Sequence, residues 1–263
     1  MDNRNSSCGR GCGCKCGVVL SLIALVIAGA TYFYPKKTAD PCSSSTFDEK
    51  VKSIVLDVVK QNPQLLMDAM GEGIAKKREE TLKKLVDDVS EKGAEVSKLC
   101  LKYGKLDSKT TLTCFFDPLN EHCIDFLRSM VKLVKAKKDV CFKMMPVAVL
   151  GDDSILLSRV YIAAYDKNPE KSLTFIDKIV NSDGNMDKAA IEKALKAAGL
   201  DNKEIEGMMN DSDKKLIENG KFAESLKIPV VPAIFLHRDG KVTLLQTTDT
   251  EQLIAEIEGK PEK

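Results

Sequence analysis

The sequence predicts an α/β domain that is preceded by an N-terminal membrane segment and a helical extension. Three observations lead to this fold class. From residue 110 onward, β-prone and helical segments follow one another as strand–helix–strand, a block of helices, and strand–strand–helix. Residues 17–34 contain no charged side chain. Residues 63–101 repeat their apolar side chains with helical periodicity.

The composition is that of an ordinary folded protein. With 263 residues, the chain is long enough for one sizeable domain and accessory segments. Hydrophobic residues make up 43% of the chain and charged residues 30%. The 40 Lys and Arg residues nearly balance the 39 Asp and Glu residues, so the formal net charge is +1. We therefore expect no nucleic-acid partner.

The uncharged segment at residues 17–34 predicts contact with a membrane. As a helix it spans about 27 Å, close to the thickness of a bilayer core. Arg4, Arg10 and Lys15 precede it, which favours a cytoplasmic N-terminus. Two interpretations remain open: a single-pass anchor with an aromatic belt at residues 32–34, or a signal peptide cleaved after Ala30. Both place the rest of the chain outside the cytoplasm, in the periplasm or an equivalent compartment.

A cysteine cluster lies just before this segment. Cys8, Cys12, Cys14 and Cys16 have a spacing that matches no zinc-binding pattern. Cysteines next to a membrane are candidates for lipidation or for binding a soft metal ion. The alternative is a Gly/Cys-rich tail that has no specific role.

A linker and a helical extension follow the membrane segment. Residues 35–46 are rich in Pro, Ser and Lys, which is typical of a linker. A helix is predicted to begin near Phe47, with Thr46 and Glu49 as a capping box, and to break at Asn62-Pro63. A longer helix then runs towards Leu101, and we place the end of the extension at residue 104.

The longer helix carries a short, imperfect heptad pattern. One interpretation is an amphipathic helix that packs on its own domain, and the other is an oligomerisation stalk that makes the chain a homo-oligomer. The apolar side chains that would mediate self-association are Leu82, Leu85, Val89, Val96 and Leu99.

Residues 105–263 contain the predicted α/β domain. Its strands are expected at 110–116, 139–147, 230–237 and 241–246, and a helix at 120–137 lies between the first two. A helical block at about 152–226 is expected to hold helices 155–165, 171–180, 186–198 and 202–226, and Thr248 and Glu251 cap a last helix. A βαβ unit followed by a hairpin and a helix is the thioredoxin order, and here the helical block is inserted between the two halves.

Three segments in the right order resemble the DsbA family of thioredoxin-fold proteins. KTTLTCFFDPLNEHCIDF resembles its active-site segment, PVAVLGDDSILLSRVYIAA its second strand and first inserted helix, and KFAESLKIPVVPAIFLHRDGKV its cis-proline loop and hairpin. VKSIVLDVVKQNPQLLMDAM resembles the helical N-terminal extension of the ScsC-like branch, some members of which oligomerise through it. The resemblance covers residues 47–258 and implies thiol–disulfide exchange on exported polypeptides that contain cysteines.

The sequence departs from the family at the active-site motif itself. Where the family has Cys-x-x-Cys, this chain has Asn-Glu-His-Cys, and Asn120 stands in place of the attacking cysteine. An amide forms neither a thiolate nor a mixed disulfide, so dithiol exchange is disabled at this motif. Asn120 also has a structural explanation, because Asn is a favoured N-cap residue and a helix begins here.

The resemblance assigns the remaining site residues. Cys123 matches the second cysteine of the motif, and His122 matches the histidine that often precedes it. If Cys123 is exposed, the helix dipole and His122 lower its pKa, whereas a buried Cys123 is an inert thiol. Pro232 matches the cis-proline and Val231 precedes it, so this pair is the expected binding site for extended polypeptide.

No other chemistry is evident in the sequence. Cys114 and Cys141 lie on neighbouring strands and are expected to be buried free thiols, while Cys42 and Cys100 are able to pair in an oxidising compartment. We expect no cofactor and no metal site in the domain. Two functions remain open: a weak or atypical thiol–disulfide exchange protein, or a non-catalytic chaperone or adaptor. A third possibility assigns metal handling to the N-terminal cysteines.

Overall fold

A computed structural model describes residues 44–182 and 186–260. The predicted membrane segment and the N-terminal cysteine cluster lie outside the described residues. Within the described ranges, no helix is both long enough and apolar enough to span a bilayer.

The chain divides into two compact units between Met67 and Asp68. The first unit contains helix α1 (Ser44–Gln61) and the beginning of helix α2 (Pro63–Glu91). Helix α1 begins at Ser44 rather than near Phe47, whereas the predicted break before Pro63 is confirmed. Proline lacks a backbone N–H and disfavours a helical conformation in the preceding residue, so one helix ends here and the next begins. Helix α1 exposes the apolar side chains Val51, Ile54, Val55, Leu56 and Val58.

The second unit contains the rest of α2 and the α/β domain. Its further helices are α3 (Gly93–Leu99), α4 (Glu121–Ala136), α5 (Asp152–Lys167), α6 (Pro169–Val180), α7 (Lys188–Ala197), α8 (Asn202–Ser225) and α9 (Thr250–Glu258). Its strands are β1 (Leu101–Gly104), β2 (Thr110–Phe116), β3 (Val140–Pro146), β4 (Ala233–Arg238) and β5 (Lys241–Leu245).

The strands form one mixed sheet in the order β1-β3-β2-β4-β5. Strands β2 and β3 are parallel because α4 connects them as a crossover, and β4 runs antiparallel to both β2 and β5. Cys114 of β2 pairs with Ile234 of β4. The prediction that the strands at 110–116 and 230–237 belong to one sheet is therefore confirmed. The helical block α5 to α8 lies between β3 and β4 in the chain, as predicted.

Strand β1 corrects the predicted end of the helical extension. Residues 101–104 pair antiparallel with β3 and belong to the sheet, so a domain boundary after residue 104 separates an edge strand from its partner. Gly104 ends this strand with a φ of +79°, and a Cβ at this position would collide with the Val140 carbonyl oxygen. The close approach to β3 therefore requires glycine.

The two faces of the sheet are buried by different helices. Alternate residues of β2 point to opposite faces, so Leu112 and Cys114 belong to one core cluster and Phe115 belongs to another. The first cluster includes side chains of α4 and of the inserted helices, such as Phe126 and Tyr161. The second cluster consists of side chains from α2, α3, the end of α8 and the sheet: Leu85, Val89, Val96, Phe115, Met145, Phe222 and Phe235.

This second cluster corrects the predicted self-association surface. Leu85, Val89 and Val96 are at most 4% exposed and pack within their own domain. The periodicity of α2 and α3 thus reflects the amphipathic helix that packs on its own sheet, and these three side chains are unavailable to a second chain. The helix is also interrupted at Lys92, where α2 ends and α3 begins.

Candidate functional site

Asn120 caps the helix that carries the motif. Its backbone is extended, and its side-chain oxygen Oδ1 accepts a hydrogen bond from the Cys123 backbone N–H at 3.1 Å. The Asn120 backbone N–H in turn donates to the Asp117 carbonyl oxygen at 3.1 Å. Both contacts fix the chain direction at the point where β2 leads into α4. The predicted N-cap role of Asn120 is therefore confirmed.

Cys123 has no solvent-accessible surface. Its side chain belongs to the core cluster beneath α4, beside the strand that carries Cys114. Burial raises the pKa of the Cys123 thiol from 9.0 to about 12, and a hydrogen bond with the Asp117 backbone opposes this only in part. The thiolate is therefore scarce at neutral pH, and of the two alternatives for Cys123 the structure has the buried thiol.

His122 and Cys123 are neighbours in the chain but point to different environments. His122 is exposed and lines a groove on the surface, whereas Cys123 points into the core. Consecutive residues of a helix project about 100° apart, so the imidazole and the buried sulfur face different directions. Of the predicted site residues His122 and Cys123, only His122 lines the groove.

The loop before β4 contains the predicted cis proline. The peptide bond between Val231 and Pro232 is cis, which confirms this prediction. Val230 is 69% exposed, and within the described chain Val230 and Val231 form no hydrogen bond through their backbone groups. Backbone donors and acceptors that are exposed and unpaired are available to an extended peptide.

A groove of about 890 Å³ lies beside this loop. The loop and the end of β5 form one part of its wall, and one face of α2 forms another. Most of the lining is apolar, which is typical of ligand-binding sites. The lining residues are Ile74, Lys77, Arg78, Thr81, Leu82, Leu85, His122, residues 229–234 and residues 244–248.

Asp117 holds the framework of the site together. Its carboxylate is fully buried and accepts hydrogen bonds from the backbone N–H of Leu119 at 2.8 Å and of Val149 at 2.7 Å. The Leu150 N–H and the Ser154 hydroxyl donate to the same carboxylate at 3.1 and 2.6 Å. The bonds tie the end of β2 to the start of α5, so the motif sits on a rigid support.

The other described cysteines are buried free thiols, as expected for Cys114 and Cys141. Cys100, Cys114 and Cys141 form no disulfide. Burial raises the pKa of Cys100 to about 12 and that of Cys114 well above its usual value. Among the described residues, no cluster of His, Cys, Asp and Glu is arranged to hold a metal ion.

The contribution of α2 to the groove is absent from the sequence-based prediction. Ile74, Arg78, Leu82 and Leu85 recur at helical spacing, and that pattern indicates a common face. The pattern does not indicate that the upper part of this face borders the cis-proline loop, because that contact is set by the tertiary fold. The predicted pair Val231 and Pro232 and the predicted His122 do line one groove.

The sheet order, the helical insertion and the cis proline together define a DsbA-like thioredoxin fold. No protein-family model and no curated protein matches the sequence. Solved structures do match. BcfH from Salmonella enterica Typhimurium has a TM-score of 0.64 and 18% sequence identity, over 81% of this chain and 96% of that chain.

Two further similar structures belong to ScsC and to a DsbA protein. A linker-deletion mutant of Proteus mirabilis ScsC has a TM-score of 0.58 and 18% identity, over 84% of this chain and 98% of that chain. The thiol-disulfide exchange protein alpha-DsbA2 from Wolbachia pipientis has a TM-score of 0.58 and 15% identity, over 66% of this chain and 95% of that chain. The structures that this chain resembles are thus ScsC and DsbA-like proteins, as predicted.

Proposed function

We propose that this chain is an extracytoplasmic, DsbA-like protein that holds extended segments of exported polypeptides beside Val231 and Pro232. Thiol–disulfide exchange by this protein is weak at most. The observation that carries the proposal is the apolar groove next to a loop whose exposed backbone groups are unpaired. An extended segment binds there through main-chain hydrogen bonds, and its apolar side chains fill the groove.

The chemistry of the motif favours binding over exchange. Position 120 offers an amide, and the Cys123 sulfur is buried with a raised pKa. Exchange requires a thiolate that reaches a disulfide sulfur, and neither condition is met at this motif. A polypeptide bound in the groove is therefore released without covalent change, as expected of a chaperone or adaptor.

Residual thiol–disulfide exchange is the second candidate. It is favoured by Cys123, which occupies the position of the family's second cysteine beside His122. One of the similar structures, from Wolbachia pipientis, is named a thiol-disulfide exchange protein. In this case Cys123 exchanges slowly with cysteine-containing polypeptides after the first turn of α4 opens.

The proposed setting is the outer side of a membrane. Residues 17–34 anchor the chain, or are removed after export, and the folded domain works on polypeptides that have crossed the membrane. We also propose self-association through the helical extension. After the correction above, the apolar side chains open to this role are those that α1 exposes, such as Ile54 and Val55.

Peptide binding to the full-length protein tests the proposed function. The probe is a fluorescein-labelled, cysteine-free peptide of alternating Val and Thr residues, and fluorescence anisotropy gives its dissociation constant. Val230→Asp places a charge against the bound apolar side chains, and we expect the affinity to fall on the order of tenfold. Because Val230 is 69% exposed, the substitution leaves the fold intact.

Leu106→Asp is the matched control. Leu106 is 66% exposed and does not line the groove, so the same charge there leaves binding unchanged. Equal affinities for wild type and Val230→Asp would exclude the groove as the binding site. If wild type also reduced insulin as fast as an enzyme with an intact Cys-x-x-Cys motif, thiol exchange would be its function instead.

A further inference from the structure

The groove beside Pro232 carries an unbalanced positive charge. Lys77 and Arg78 are exposed residues of α2 that line it, and His122 lines it from the start of α4. No Asp or Glu is among the lining residues. The lining of the groove itself therefore presents cationic groups and no carboxylate to a bound peptide.

The two cationic side chains have no partner within the described chain. Neither the Lys77 ammonium nor the Arg78 guanidinium forms an ion pair or a side-chain hydrogen bond there. Asp249 and Glu79 are close in sequence to residues that line the groove, and within the described chain neither forms an ion pair with Lys77 or Arg78. Asp249 accepts hydrogen bonds from the backbone N–H groups of Glu251 and Gln252 as the N-cap of α9. Glu79 lines an adjoining depression that shares Ile74, Arg78 and Leu82 with the groove.

The charge of the groove also differs from that of the protein. The formal net charge of the chain is only +1, and α2 alternates acidic and basic residues along most of its length. Yet the face of α2 that reaches the groove presents Ile74, Lys77, Arg78, Leu82 and Leu85. The lining of the groove thus has two cations and no carboxylate, whereas the charges of the whole chain nearly cancel.

We infer that the groove selects extended apolar polypeptide segments that carry carboxylate side chains. The inference rests on the proposed function and adds its substrate class. Val230, Val231 and the end of β5 hold the extended backbone and its apolar side chains. Lys77 and Arg78 pair with Asp or Glu of the bound segment at the α2 side. Segments rich in Lys or Arg are rejected, because the same cations repel them.

The size of the preference follows from the exposure of the cations. Ion pairs between exposed side chains are individually weak and are screened by salt. An acidic segment forms two such pairs, whereas a basic segment meets two repulsive contacts. The affinities of the two segments should therefore differ about tenfold at low ionic strength. A neutral segment makes the apolar contacts but is neither attracted nor repelled by the cations, so it binds with intermediate affinity.

Three cysteine-free peptides test the inference with the full-length protein. They share one core of alternating Val and Thr residues and end in two Asp, two Ser or two Lys residues. Fluorescence anisotropy gives each dissociation constant at low and at high salt. We expect the order Asp, Ser, Lys from tight to weak, about tenfold between the extremes, and convergence of the three affinities at high salt.

A charge reversal on α2 supplies the decisive comparison. Lys77→Glu combined with Arg78→Glu should invert the order of the three peptides. Lys76→Glu combined with Lys84→Glu is the matched control, since both residues are exposed on the same helix and neither lines the groove. The control changes the net charge equally and should retain the wild-type order. All these positions are exposed, so circular dichroism should show unchanged folding.

The outcomes separate the inference from the proposed function. Binding of the Ser-ended peptide without any preference between Asp and Lys would overturn the inference and leave the groove as a polypeptide site. An equal shift in the control variant would also overturn it, by showing that net charge alone sets the preference. Absence of binding by all three peptides would reject the proposed function. Peptide binding that weakens as protein concentration rises would show a second copy of the chain in the groove, and would overturn the assignment of the occupant.

Discussion

At the residue scale, the first turn of α4 has an amide where thiol exchange requires a thiolate. The Asn120 side chain caps the helix. The Cys123 side chain has no solvent-accessible surface and packs in the core. The two residues contribute to stability in the positions where a redox enzyme holds its reacting sulfurs. His122 alone is placed by this turn at the groove.

The buried thiols should resist alkylation. Burial raises the pKa of Cys123 and of Cys100 to about 12 and leaves no thiolate accessible to a reagent. Iodoacetamide at pH 8 should therefore leave Cys100, Cys114, Cys123 and Cys141 unmodified in the folded protein, and label all four after denaturation. Mass spectrometry reads the sites. Rapid labelling of native Cys123 would show an exposed, reactive sulfur and would restore thiol exchange as the leading function.

The same pKa values predict a loss of stability at alkaline pH. In the unfolded chain these thiols ionise near 9.0, while in the folded chain they remain protonated up to about 12. Because the folded-state pKa values are higher than the unfolded ones, the contribution of these thiols to the free energy of unfolding is full below pH 9. It is lost as the pH rises towards 12. Urea unfolding at several pH values measures it. A Cys123→Ala variant should lose less stability over this interval than wild type, and an equal loss would contradict the assigned burial.

Asn120→Cys should raise the thiol–disulfide exchange activity. It creates a thiol at a helix N-terminus, where cysteine pKa values fall to about 3.5–7.5, three residues from Cys123. Wild type has no exposed thiol at this motif, because Cys123 is buried and its pKa is raised, so the rate of insulin reduction should rise at least about tenfold. Asn120→Ala is the control, because it also removes the cap, at a cost of about 1 kcal/mol, and adds no thiol. An equal rate in both variants would show that the motif no longer supports exchange.

The sequence indicates some of these residue roles and not others. Capping by Asn120 is a local property, so residue type and position suffice to predict it. The cis conformation at Pro232 was predicted from a resemblance to a known motif. The burial of Cys123 depends on how β2, α4 and the inserted helices enclose the first turn, and residue order alone left both an exposed and a buried thiol open.

At the element scale, α2 serves two purposes along its length. Its C-terminal part buries Leu85 and Val89 against the sheet, and its middle part presents Ile74, Lys77 and Arg78 to the groove. One helix thus contributes both to the stability of the domain and to the wall of the proposed binding groove. A helix of this kind positions the groove wall rigidly, because the buried turns fix the orientation of the exposed ones.

Val89→Ala should destabilise the domain without changing self-association. Val89 is fully buried in the second core cluster, so its truncation should lower the free energy of unfolding by about 2 kcal/mol. Val149→Ala is the matched control, since Val149 is 61% exposed, lies outside α1 and its truncation should cost little. Urea denaturation and sedimentation check the two effects. A change in oligomeric state with Val89→Ala and unchanged stability would return this residue to an association surface.

Regular elements were predictable where their pattern is long. The strands β2 and β3, the connecting helix and the inserted helices follow clear periodicity and are confirmed. Strand β1 was missed because its Tyr103 continues the seven-residue spacing of Leu82, Val89 and Val96 in the preceding helices. Its strand conformation comes from pairing with β3, a long-range contact that local periodicity does not contain. The interruption at Lys92 was also missed, although Gly93, which follows it, is a local signal against helix continuation.

At the scale of the whole molecule, the proposed account places a polypeptide-binding domain outside a membrane. An alkaline phosphatase reporter fused after Lys263 should be active, because this enzyme needs disulfides that form only in an oxidising compartment. Deletion of residues 1–34 should abolish the reporter activity while the fusion is still produced. An active reporter without residues 1–34, or an inactive one with them, would contradict the predicted export.

The central claim is that binding at the groove needs no thiol. The most direct test compares the affinities of the full-length protein for two extended peptides that differ only by one Ser→Cys substitution, in buffer without reductant. The account predicts equal dissociation constants within about twofold, and similar losses for both peptides in Val230→Asp. Retention of the cysteine peptide alone, as an adduct that dithiothreitol releases, would contradict the claim and identify the chain as a thiol–disulfide exchange protein.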